Sequence, residues 1–156
     1  MKSRLGPYPS AGFPKLVAAN VLPPLVAVVS GELTSNVTSA PMGAARFSGY
    51  ISDVWLSVAG SGKDDAATLS LTADVMINGT TCLTTNPVIA HVSGEAAQQK
   101  TTKVSGDTGV TQAVLSSSNS VSQGDVISYS LTLTRTASPT TEINNAAVVV
   151  EFEPAF

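Results

Sequence analysis

Residues 68–83, TLSLTADVMINGTTCL, alternate with period two: Leu69, Leu71, Ala73, Val75 and Ile77 share one face, and Thr68, Ser70, Thr72 and Asp74 the other. That is the signature of a half-buried β-strand. Asn78-Gly79 follows, and both residue types tolerate the positive φ of a type I′ turn, so the stretch predicts a hairpin. Pairing Ile77 with Thr80 sets Val75 against Cys82 and Asp74 against Leu83. This register turns Cys82 inward and expects Met76 and Leu83 on the outer face.

The same alternation returns later in the chain. In residues 126–135, Ile127, Tyr129, Leu131 and Leu133 oppose Ser128, Ser130, Thr132 and Thr134; in residues 147–153, Val148, Val150 and Phe152 oppose Val149, Glu151 and Glu153. Residues 137–145, with Ser138-Pro139, are expected as the connection between them. RFSGYISDVWLSV (residues 46–58) predicts one or two strands broken at Gly49 or near Ser52-Asp53. Val54, Leu56 and Val58 share a face there, with Trp55 opposite and Phe47 and Ile51 in its phase, so the strand is expected to be covered on both sides. Residues 60–65 are expected to form a loop, as are 94–109 and 116–122, and residues 88–92 and 110–115 to form short strands. No window repeats apolar residues at helical spacing. The pattern therefore predicts an all-β chain, an antiparallel β-sandwich of jelly-roll-like type.

The first part of the chain reads differently. Residues 1–41 hold six of the nine prolines, at positions 7, 9, 14, 23, 24 and 41. Proline fixes φ, removes a donor and keeps the preceding residue extended, so residues 1–41 are expected to form an extended arm and residues 42–156 the sandwich. The apolar run of residues 16–29 is interrupted by Pro23-Pro24 and is too short to span a bilayer, which argues against a leader or a membrane anchor. An arm with that much apolar surface cannot fold alone. Either it packs on its own sandwich as an extra edge or it lies on another subunit.

Composition narrows the functional classes. With 156 residues, 43% apolar, the chain suits one domain with an appendage. Only 12% of residues are charged, against about 25% in ordinary soluble domains, and Ser and Thr fill the strand surfaces instead. Such sparse charge favours a protein that lives in an assembly. Lys2, Arg4, Lys15 and Arg46 outweigh Glu32 in the first fifty residues, while the remainder is acidic. Four scattered cations do not make a nucleic-acid footprint; a basic tail meeting an acidic protein surface fits better. The single cysteine excludes an internal disulfide. His91 is the only histidine, no G-x-S-x-G elbow is present, and one Cys with one His cannot supply the usual zinc set. The acids at Asp64, Asp65, Asp107 and Asp125 lack the Asp-x-Asp-x-Asp-Gly spacing of a calcium loop. No enzyme, cofactor or metal is expected.

The runs DVMINGTTCLTTNPVIA, GDVISYSLTLTRT and VVVEFEP resemble the β-sandwich virion proteins of tailed bacteriophages, capsid decoration (cement) and head-fibre proteins above all. The resemblance implies a homotrimer on the capsid exterior, bound to the major capsid protein, with no catalytic residues. It implies an anchoring arm whose contact residues here would be Lys2, Arg4, Tyr8, Phe13, Lys15, Leu16, Val21, Leu22 and Leu25. Met76 and Leu83, expected outward, would supply the contact between subunits. The alternative is a receptor- or glycan-binding module of a head or tail fibre, for which Trp55, placed mid-strand, is poorly situated.

Overall fold

The computed structural model describes residues 22–155. Among them it contains thirteen strands and no helix: β1 (Leu25–Glu32), β2 (Val37–Ala44), β3 (Gly49–Lys63), β4 (Ser70–Ile77), β5 (Thr80–Thr81), β6 (Leu83–Thr85), β7 (Val88–Ala90), β8 (Lys100–Thr101), β9 (Val110–Thr111), β10 (Val114–Leu115), β11 (Ser120–Val121), β12 (Val126–Thr134) and β13 (Thr141–Pro154). Two antiparallel sheets face each other. The first runs β1-β13-β3-β11, with β8 also on β3; the second runs β2-β12-β4-β7-β9, with β5 on β4, and β6 pairs separately with β10. The protein is an antiparallel β-sandwich.

Alternation builds the core. Val54, Leu56 and Val58 of β3 and Val148 and Val150 of β13 turn inward from the first sheet; Leu71, Ala73 and Val75 of β4 and Ile127, Tyr129 and Leu131 of β12 turn inward from the second. Each fully buried Val, Leu or Ile stabilises the fold by roughly 1.5–3 kcal/mol. The hairpin turn is as the sequence predicts: Asn78 has φ 50° and Gly79 φ 83°, with Ile77 opposite Thr80. Asn78 also clamps the turn to β12. Its Nδ2 donates to Asp125 Oδ1 at 2.9 Å, and its Oδ1 accepts from the Val126 N–H at 2.9 Å.

The boundary expected between arm and sandwich, at residue 41, is not where the structure puts it. β1 lies on β13 with Leu25 opposite Val150, and β2 lies on β12 with Ala40 opposite Tyr129, so residues 25–41 belong to the sandwich. The prolines forbid helix but not extension. Pro23-Pro24 precede β1, and Pro41 sits in β2, the end strand of its sheet, where proline is tolerated.

Met76 keeps the outward register expected of it but is largely covered, whereas Leu83 turns into the core. They are 8% and 6% exposed. Met76 lies in a row with Thr81 on one side and Ser128 and Pro41 on the other, so its long side chain is flanked from both directions. Leu83 escapes the hairpin register. Pairing with β4 ends at Thr81, Cys82 still donates its N–H to Val75 O at 2.9 Å, and the chain then turns to pair Leu83 with Leu115, which brings Leu83 into the core.

Two glycines expected to open a loop extend β3 instead. A Cβ on Gly60 would meet the Asn144 side chain at 2.5 Å; one on Gly62, at φ 70°, would meet Leu69 Cδ2 at 2.5 Å and Thr141 O at 2.9 Å. Close strand approach is their role, so β3 continues to Lys63 and β13 begins at Thr141, inside the expected connection. The expected break near Ser52-Asp53 is a bulge: Asp53 pairs with Glu151 but Ile51 with Phe152. The extra residue reverses the alternation. Ile51 is thereby buried with Val54 rather than sharing the outer face with Trp55.

Candidate interaction surface

The outer face of the first sheet carries a cluster of polar side chains around Trp55. Antiparallel register sets Val26, Val149 and Trp55 side by side in one row, and Val28, Ala147, Ser57 and Thr101 in the next. Lys103, just beyond β8, lies over the Trp55 ring with Nζ 3.9 Å from its centroid. The same Nζ donates to Asp53 Oδ2 at 2.5 Å and to Glu151 Oε2 at 3.3 Å. The hydrogen bond to Asp53, then that to Glu151, holds the ammonium protonated above its ordinary range against partial desolvation. Trp55 is thus half-covered by a cation bound to two carboxylates.

Lys103 is in place because the segment before it is stapled. The Lys100 side chain is fully buried, and its Nζ donates to Glu95 Oε2 at 2.7 Å, Thr108 O at 2.7 Å and Ala90 O at 3.5 Å. Glu95 also accepts from the Thr108 hydroxyl. Its carboxyl is lowered from the ordinary 4.5, first by Lys100 and then by Thr108. Thr102 completes the staple: its N–H donates to Leu56 O at 2.8 Å, and its Oγ1 accepts from the Leu56 N–H at 2.9 Å.

At the end of the sandwich, between the start of β1 and the end of β2, a largely apolar cavity of about 180 Å³ opens, lined by Leu22 to Leu25, Ala44 to Phe47 and Phe152. The rings of Phe47 and Phe152 meet edge to face, 6.1 Å between centroids. Of the residues expected to anchor the chain, Leu22 and Leu25 line this cavity; Lys2, Arg4, Tyr8, Phe13, Lys15, Leu16 and Val21 lie outside the described residues.

The remaining candidate chemistry is elsewhere. His91 Nε2 lies 2.9 Å from Asp65 Oδ1, an oxygen that also accepts the Gly94 N–H at 2.8 Å. The Gly94 bond first, then His91, holds Asp65 at about 2. The other ring nitrogen of His91 is buried without a partner. The pair ties two loops and brings no nucleophile with it. Cys82 is a buried thiol pushed up to about 11, by burial first and the Asp74 charge second. Among the described residues, no three His, Cys, Asp or Glu side chains gather where they could hold a metal.

No family description, no curated protein and no solved structure matches this chain.

Sequence reasoning placed Trp55 mid-strand but missed Lys103, Asp53 and Glu151 around it. Asp53 and Glu151 are cross-strand partners that no local pattern joins, and Lys103 reaches them from a polar run with no periodicity. The Ser52-Asp53 break was the one available signal.

Proposed function

We propose that this protein is a non-enzymatic structural component of a bacteriophage particle, seated on the capsid exterior and anchored to the major capsid protein by its amino-terminal segment. One observation carries this reading. The chain joins the sandwich at an apolar corner, where Leu22 to Leu25 line a cavity between the sheets and Val26 and Val28 stand exposed on β1. A segment leading out of such a corner is well placed to continue an apolar contact onto a neighbouring protein. The sequence resemblance to decoration proteins supplies the identity of that neighbour, and the basic side chains Lys2, Arg4 and Lys15 suit an acidic partner surface. Trp55 offers a glycan no bare ring face on one side, since Lys103 lies over it.

The test is sedimentation of capsids that lack the protein after mixing with the purified full-length chain. Saturable co-sedimentation is expected, weakening as salt rises. Deleting residues 1–21 should abolish it while leaving the β-type circular dichroism intact. If the full chain does not co-sediment at saturating concentration, the reading is wrong; if the deletion binds equally well, the anchor lies in the sandwich.

A further inference from the structure

An open strand edge offers its N–H and C=O groups to any extended chain, and folded proteins blunt such edges with short strands, proline, bulges or charge. Three of the four ends of the two main sheets are blunted in this way. β9 and β11 are two residues long, and β2 carries Pro41, two register shifts and Ser39 at φ 46°. β1 is not. From Leu25 to Val29 it follows β13 in unbroken register without charge or proline, and among the described residues no strand lies on its other side. Val26 and Val28 are 52% and 62% exposed on its outer face.

We propose that this edge pairs with the same edge of a second copy, antiparallel about a two-fold axis at Ala27. The segment Leu-Val-Ala-Val-Val is symmetric in character about that residue. With Ala27 opposite its own counterpart, Leu25 meets the second copy's Val29 on the inner side, and Val26 meets the second copy's Val28 on the outer side. The four exposed valines become one apolar patch continuous with Val149 and Trp55. The joint also ends where the chemistry ends it. Pro24 and Pro23 fall opposite the second copy's Ser30 and Gly31; the prolines have no N–H to offer, and Gly31, at φ 83°, has left the regular strand. The charge of Glu32 does not oppose the pairing. The two Glu32 carboxylates fall at opposite ends of the joint, ten residue steps or on the order of 30 Å apart, beyond the screening length.

This self-contact does not depend on the capsid reading, because it is measured on the isolated protein. The expectation of a trimer drew on the family resemblance, on the sparse charge of the strands and on Met76 and Leu83 facing outward; of these grounds, the last is weakened because both side chains are covered.

The experiment is sedimentation velocity on the full-length chain across roughly 1–100 µM, the span over which mass action should populate both states. A species of two chain masses is expected. Val26→Glu with Val28→Glu sets like charges across the joint and should weaken pairing at least tenfold. Val26→Lys with Val28→Glu sets opposite charges at the same two positions and should restore it. Both positions are exposed, so circular dichroism should show each variant folded. One chain mass or three for the unaltered protein overturns the proposal; so does an unchanged mass in the like-charge variant, or equal loss in both. Should the like-charge variant not fold, hydrogen exchange on the unaltered protein decides: protection at residues 25–29 must rise with concentration, and flat protection overturns the two-fold joint.

Discussion

Replacing Lys100 by Met keeps most of the aliphatic stem and removes the buried ammonium. Three acceptors lose their donor at once: Glu95 Oε2, Thr108 O and Ala90 O. Deleting one partner of a buried ion pair costs about 3–5 kcal/mol when the other charge stays buried, but the Glu95 carboxylate is a quarter exposed and regains water. The weaker bond to Ala90, at 3.5 Å, adds little. A loss of about 2–3 kcal/mol is the expected result, which for a chain of this length lowers Tm by roughly 5–10 °C. Urea unfolding followed by circular dichroism measures it. The pH dependence supplies a second readout. Glu95 is lowered in the folded state, so its contribution is fully present above the ordinary value of 4.5 and is lost as pH falls through the folded value. The unaltered protein should therefore lose stability below about pH 4.5. The variant, lacking the main cause of the shift, should lose less over the same window. A Lys100→Met protein within about 0.5 kcal/mol of the parent, the range of an ordinary surface change, would refute the staple.

Other outcomes follow from single positions. Asn78→Gly keeps the positive φ but loses the clamp on Asp125 and Val126, whereas Asn78→Ala loses both, so unfolding should show losses of about 1 and about 2–3 kcal/mol respectively. Gly62→Ala drives a Cβ into Leu69 and the Thr141 carbonyl at a left-handed φ; a loss of at least about 2 kcal/mol is expected, and a neutral result would mean the β3 and β13 ends do not approach closely. Cys82 should resist a thiol reagent at pH 8 in the native protein and react at once in denaturant, since burial keeps it protonated and covered. Lys103→Ala should shift the Trp55 emission while changing stability by less than about 1 kcal/mol, as befits a half-exposed cation.

What the sequence made legible is what local physics decides. β4, β12 and β13 each bury one face, and a two-residue turn with positive φ has few chemical solutions, so Leu71 to Ile77, Asn78-Gly79 and Ile127 to Leu133 could be read directly. Extrapolation failed where a non-local partner took over. Leu83 follows the hairpin register only until β10 captures it. Gly60 and Gly62 look like loop residues until Asn144 and Thr141 lie against them. β1 was obscured by its flanking prolines, although its alternation at Leu25, Ala27 and Val29 was present. Lys100 and Lys103 had no signal at all, because a cation is bound by partners that only the folded loop assembles. Of the interaction surface, the apolar residues at positions 22 to 28 were visible as a group; that they border a sheet edge was not.

The antiparallel pairing of β1 with β13 also sets a clock. Leu25 lies opposite Val150, a residue made 125 positions later. At synthesis rates of about 5–20 residues per second, that interval is roughly 6–25 s. Through all of it the earliest apolar strand waits without its neighbour, and β3, whose longest partner is also β13, waits with it. Neither sheet can close gradually from the amino end, since β2 likewise needs β12. A ribosome still short of Thr141 therefore holds a chain whose first sheet lacks its central strand, and closure of that sheet is a late event, slow in the manner of sandwiches whose contacts span the sequence.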